Sequence, residues 1–188
     1  MTPDRRGFLK SGMAALFTTA SLLRAQPIWA GGLKVGQPAP PLVLHALDGT
    51  TIALRDLLGR VVIATFWATW CDPCREELPL LSDYLSRNAK RGLSILGFAL
   101  DDAEDLSKVR NVAAHLSFPV GLLGSPWAGD YGRIWRIPVS FVIDRDGRLV
   151  NNGWEDDEPV WTKARLQQVV DPLLLPADPA STSSRDDQ

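Results

Sequence analysis

Cysteine is almost missing from this chain: two residues, Cys71 and Cys74, in a length of 188. With so few, no disulfide framework holds the fold together, and the pair reads as chemical equipment rather than scaffolding. A structural zinc site would need two further ligands. Histidine offers only His45 and His115, each suited to an ordinary strand or helix position, so no metal site is expected. There is no internal repeat and no Gly-rich phosphate loop. Charge is nearly balanced, with 20 basic against 22 acidic residues and a net charge of −2, which argues against nucleic acid as a partner. The remainder is 45% apolar, enough for one domain with a proper core rather than two.

The chain is organised around Val61 to Pro79, VVIATFWATWCDPCREELP. Val61 to Phe66 is an unbroken apolar run rich in β-branched residues, which suits a central strand buried on both faces. Trp67 to Trp70 leads off its end, and Arg75 to Leu85 reads as a helix with Leu78, Leu81 and Leu85 on one side. Residues three apart in a first helical turn share a face, so the two sulfurs can close a short disulfide with little backbone movement. Cys71, at the helix N-terminus, has unpaired N–H groups and the helix dipole to favour its thiolate, and is the expected nucleophile. Cys74, one turn further in and less exposed, is the expected resolving thiol. Pro73 is tolerated because its missing N–H has no partner in a first turn. The charge of Asp72 beside Cys71 opposes thiolate formation.

Residues 1–30 do not belong to the fold on this reading. Arg5-Arg6-Gly7-Phe8-Leu9-Lys10 precedes an apolar segment, Gly12 to Leu23, that falls short of the about 20 residues a comfortable membrane span needs. Small residues around Ala30 suit a signal peptidase, so an export signal is expected. The Arg pair resembles the twin-arginine signal read by a pathway for folded proteins, with Asp4 where Ser or Thr is usual; an ordinary Sec signal is the alternative. Cleavage after Ala30 would leave 16 basic against 21 acidic residues and move the charge from −2 to −5. An uncleaved signal would tether the domain to the membrane. With no cysteine near Ala30, no lipoprotein anchor is expected.

After a Gly/Pro-rich lead-in, Leu42 to Ala46 and Thr51 to Leu54 flank Asp48-Gly49, a hairpin signal. Pro79 should bend the helix that carries it. Leu93 to Leu100 is a second apolar strand, ending at Asp101-Asp102, either of which can cap the helix carrying Leu106, Val109, Ala113 and Leu116. Phe118 to Leu123 is a third strand. Val139 to Asp144 and Arg148 to Asn152 form a hairpin about Asp146-Gly147. Glu158-Pro159 starts a final helix with Leu166, Val169, Val170 and Leu173 on one face. Ala177 to Gln188 is polar and small-residue rich, as in disordered tails.

This order of elements resembles the thioredoxin fold. Within it, TFWATWCDPCREELP and YGRIWRIPVSFVIDRDGRLV resemble the TlpA-like branch of exported thiol-disulfide oxidoreductases, from about Val35 to Leu175. The resemblance implies an α/β fold with a central mixed β-sheet flanked by helices and an N-terminal β-hairpin extension. Its domain would span residues 31–175, with 176–188 as the tail. It also implies a cis peptide at Ile137-Pro138 lying against the disulfide, where client backbone pairs by strand addition, with Trp70 on the apolar rim and Trp67 in the core. Cytosolic thioredoxins carry a buried Asp where this chain has Thr65. Glu77 matches the acidic position of TlpA-like relatives and is the expected proton acceptor for Cys74, the alternative being a solvated helix charge.

The function expected is periplasmic reduction of client disulfides by a Cys71/Cys74 dithiol, without a cofactor. Disulfide-containing clients such as apocytochrome c or copper-site cysteine proteins, a membrane electron donor of the thiol-relay type, and a monomeric state go with it. The cytochrome-maturation subgroup usually shows Gly-x-Pro-Glu, whereas this chain has Arg136-Ile137-Pro138-Val139. A disulfide-inserting oxidase of the same fold is the first alternative. The lead-in GQPAPPLVLHALDGTTIALRDLLGR is similar to that of peroxiredoxins, but Ala68, not Thr or Ser, stands three residues before Cys71. A Cu(I) carrier would use the two soft thiolates, yet no Met or His within the motif completes a site.

Overall fold

The computed structural model describes residues 33–175, so the expected export signal and tail lie outside the described residues. Seven strands and three helices follow in the order β1 (Val43–His45), β2 (Thr51–Ala53), β3 (Val61–Trp67), α1 (Asp72–Asn88), β4 (Leu93–Ala99), α2 (Leu106–Ala113), β5 (Val120–Leu122), β6 (Val139–Ile143), β7 (Leu149–Asn151) and α3 (Lys163–Val169). β1 and β2 form the hairpin, and the other five strands form a mixed sheet in the order β5-β4-β3-β6-β7. β3, β4 and β5 run parallel, while β6 and β7 are antiparallel additions.

The apolar run of β3 is buried at every position because the strand is central and covered on both faces. Successive side chains alternate between two cores. Val61, Ile63 and Trp67 join Leu93, Ile95, Val142 and the inner sides of α1, α2 and α3. Val62, Ala64 and Phe66 face the opposite way, toward Leu44, Leu54, Phe98, Tyr131 and Phe141. Phe66 stacks on Phe98 at 4.9 Å and meets Phe141 edge-on at 5.9 Å, geometries that add to simple area burial.

α1 is longer than the leucine spacing implies, reaching from Asp72 to Asn88 and continuous through Pro79. Pro79 sits on the exposed side, where its missing donor leaves no buried group unpaired.

Two expectations are corrected. α3 begins at Lys163, not at Glu158-Pro159. Thr162 is extended and its side chain accepts from the Arg165 N–H, while the Trp161 N–H is drawn to another partner, so residues 158–161 stay non-helical. Neither Asp101 nor Asp102 caps a helix through its side chain; Asp101 is buried and bonded to Thr69.

Candidate active site

β3 delivers the chain to the site. Its last residue pairs with Ala99, after which the Leu100 N–H still donates to the Trp67 carbonyl at 2.8 Å. The turn that follows is held from below. Asp101, 4% exposed, accepts from the Thr69 backbone N–H at 3.0 Å and from the Thr69 hydroxyl. Charge-assisted bonds to a buried carboxylate are among the stronger polar contacts, so Thr69 is fixed and its neighbours Trp70 and Cys71 are aimed. Trp70 stands 66% exposed beside the disulfide.

Cys71 is the N-cap of α1, and its sulfur accepts from the Cys74 N–H at 3.3 Å. The two sulfurs are bonded, with their Cα atoms 5.3 Å apart. Cys71 is 6% exposed and Cys74 fully buried. An incoming thiol or disulfide therefore reaches Cys71 first. Asp72 pairs with exposed Arg75 one turn on, so its charge is partly met at the surface.

Glu77 lies three residues beyond Cys74, on the same side of α1. It is 2% exposed, which settles its placement in favour of a buried carboxyl. Its Oε2 accepts from the Trp161 backbone N–H at 2.9 Å, and its Oε1 has no hydrogen-bond partner among the described residues. Burial pushes the carboxyl up to about 7, against the pull of the Trp161 N–H and of the Arg165 charge, both of which favour ionisation. A carboxyl poised near neutrality can take a proton as readily as release one.

The Ile137–Pro138 peptide is cis. Val139 pairs with Phe66, so Pro138 stands opposite the end of β3 from which the chain leaves toward Cys71. Ile137 packs against the core cluster that contains both cysteines and Trp161. Arg136 donates to the carbonyls of Gly153, Trp154 and Asp156, tying the approach to Pro138 to the segment after β7. Gly153 is needed there, because a Cβ would collide with the Ser140 backbone. Thr65 and Ser140 are Cα partners on β3 and β6. Both are buried, and their hydroxyls have no partner among the described residues.

The structure thus gathers Cys71, Cys74, Glu77 and Ile137 about one core, with Pro138 at the neighbouring strand start and Trp70 on the rim. Sequence reasoning missed Asp101, Trp161 and Arg165. Only Asp101 carried a local signal, its place at the end of an apolar strand, and that signal pointed to the wrong partner.

A disulfide closed across the first turn of the helix that follows the central parallel strand, on this sheet topology, defines a thioredoxin-fold thiol-disulfide oxidoreductase. The chain belongs to the AhpC/TSA family, whose model matches residues 35–151. It is 37% identical over 121 residues to the thiol-disulfide oxidoreductase ResA of Bacillus thuringiensis (strain Al Hakam), covering 63% of this chain and 68% of that one. ResA of Bacillus subtilis (strain 168) is 29% identical over 155 residues, covering 80% and 86%. Among solved structures, a thiol:disulfide interchange protein of the thioredoxin family from Chlorobium tepidum TLS superposes with a TM-score of 0.62 at 29% identity. That match covers 76% of this chain and 99% of the other.

Proposed function

We propose that this protein is an exported reductase of client disulfides, with Cys71 as nucleophile, Cys74 as resolving thiol and Glu77 as the proton acceptor for Cys74. The observation that carries the reading is the graded burial along α1, from Cys71 at its tip to the fully buried Cys74 and the buried Glu77. The Cys71 thiolate attacks one sulfur of a client disulfide, forming a mixed disulfide and releasing the client's other sulfur as a thiolate that takes a proton from solvent. Cys74 passes its proton to the Glu77 carboxylate and attacks the Cys71 sulfur. The client's second thiolate leaves, two electrons have moved to the client, and the Cys71–Cys74 disulfide is restored.

The reducing direction is supported by what surrounds Cys71. A strong oxidant depends on a strongly stabilised thiolate, whereas the residues inside the motif are Asp72 and Pro73, an anion and a residue without an N–H. Export is supported by the character of residues 1–30, and a membrane thiol relay would then resupply the electrons. The clients are disulfide-containing proteins presented as extended segments beside Pro138, between that strand start and the Trp70 rim.

The test is the equilibrium reduction potential of the pair. A value on the order of −230 mV or lower is expected, and one near −120 mV would make the protein an oxidant.

A further inference from the structure

The segment between β7 and α3 is anchored by Arg165. Its guanidinium lies 4.4 Å over the Trp161 ring, pairs with the Asp156 carboxylate and donates to the Glu158 carbonyl. The ion pair is largely withdrawn from water, the side chains being 13% and 21% exposed, so its field is screened far less than that of a surface pair. Asp156 is held in turn by Asn151, at 2.9 Å.

We infer that Arg165 is a positioning residue for the thiol exchange: clamped to Asp156 and stacked on Trp161, it holds the Trp161 N–H on the Glu77 carboxyl that serves Cys74. The inference rests on the role proposed above for Glu77. Two effects act together. Stacking holds the Trp161 ring, and with it the backbone amide that donates to Oε2. The guanidinium also supplies positive charge to a buried carboxyl whose solvation by water is gone. Among the described residues, Asp156 carries the charge that opposes Arg165 in its ion pair, and α1 itself carries Cys74, exposed Glu76 and the exposed Asp72–Arg75 pair along the same helix. The sheet face beneath α1 contributes the neutral hydroxyls of Thr65 and Ser140.

The experiment follows the rate at which Cys74 resolves a mixed disulfide between Cys71 and a neutral reporter thiol, as a function of pH. Wild type should show a step near pH 7, and Glu77→Gln should lose it. Arg165→Gln should move the step upward by about one pH unit, Arg165→Lys should return it most of the way, and Arg165→Gln in the Glu77→Gln background should add nothing. Asp156→Asn, which keeps an acceptor for Arg165 while removing the opposing charge, should move the step downward. It also provides a reading should Arg165→Gln fail to fold. An unmoved step in Arg165→Gln, or shifts of the same sign in the Arg165 and Asp156 variants, overturns the inference while leaving Glu77 in place. A step that survives in Glu77→Gln overturns the assignment of Glu77, and this inference with it.

Discussion

The backbone N–H of Trp161 donates to Oε2 of Glu77 at 2.9 Å although the two residues stand 84 positions apart. That bond joins the redox helix to the segment before α3, and it leaves a buried carboxyl with one oxygen bonded and the other without a partner among the described residues.

Folding raises Glu77 from an ordinary 4.5 to about 7, so between those values the native state holds more protons than the unfolded chain. The associated stability is complete below about pH 4.5 and is lost as pH rises through 7. The difference amounts to roughly 3 kcal/mol. Glu77→Gln keeps an acceptor for Trp161 and removes the charge. It is expected to be more stable than wild type at pH 8 by up to about 3 kcal/mol and nearly equal at pH 4.5, as read from urea midpoints across that range.

Cys74→Ser should accumulate a mixed disulfide with client through Cys71, seen as a reducible adduct on a non-reducing gel. Cys71→Ser should form none, because the remaining thiol is fully buried. An adduct in the second variant alone would reverse the two roles.

Asp101→Ala removes the bonds from the backbone N–H and hydroxyl that hold Thr69 and leaves these half-buried donors without their carboxylate partner. The loss should be about 2–3 kcal/mol, measured by denaturant unfolding. Turnover of protein disulfides should fall with it, since the turn carrying Trp70 and Cys71 loosens.

Trp70→Ala should raise KM for a protein disulfide severalfold while leaving reactivity toward a small disulfide such as hydroxyethyl disulfide near the wild-type value. An exposed aromatic anchor acts on a large partner and not on the sulfur chemistry. Equal losses on both substrates would place Trp70 in the support of Cys71.

Much of this was legible in the chain. The β3 run, the thiol spacing and the leucines of α1 are local patterns, and local patterns survive folding when they agree with the core they build. What escaped is what the chain brings together from afar. Nothing near Trp161 says that its N–H will serve Glu77, and because that N–H is taken, the Glu158-Pro159 start that looked sound by itself gives way to Thr162. Either Asp101 or Asp102 suits a helix cap by its place after a strand, but the donors that Asp101 meets belong to a turn 32 residues earlier. Resemblance singles out Glu77 as an acidic position, but its burial depends on residues far along the chain, Trp161 among them.

The lead-in touches both rims of the main sheet. Gly36 N–H donates to the Leu149 carbonyl and Leu149 N–H returns to Gln37 along the outer side of β7. At the far rim Leu47 N–H donates to the Val120 carbonyl of β5, with Gly121 bare so that the His45 carbonyl can approach. A sheet with open rims recruits copies of itself into fibrils and aggregates. Here the first 15 or so residues of the described structure act as a built-in bumper. A version trimmed to begin at β3 would keep its thiols but would bare both rims and uncover the core face that Leu44 and Leu54 close, and it would clump through main-chain pairing at those rims.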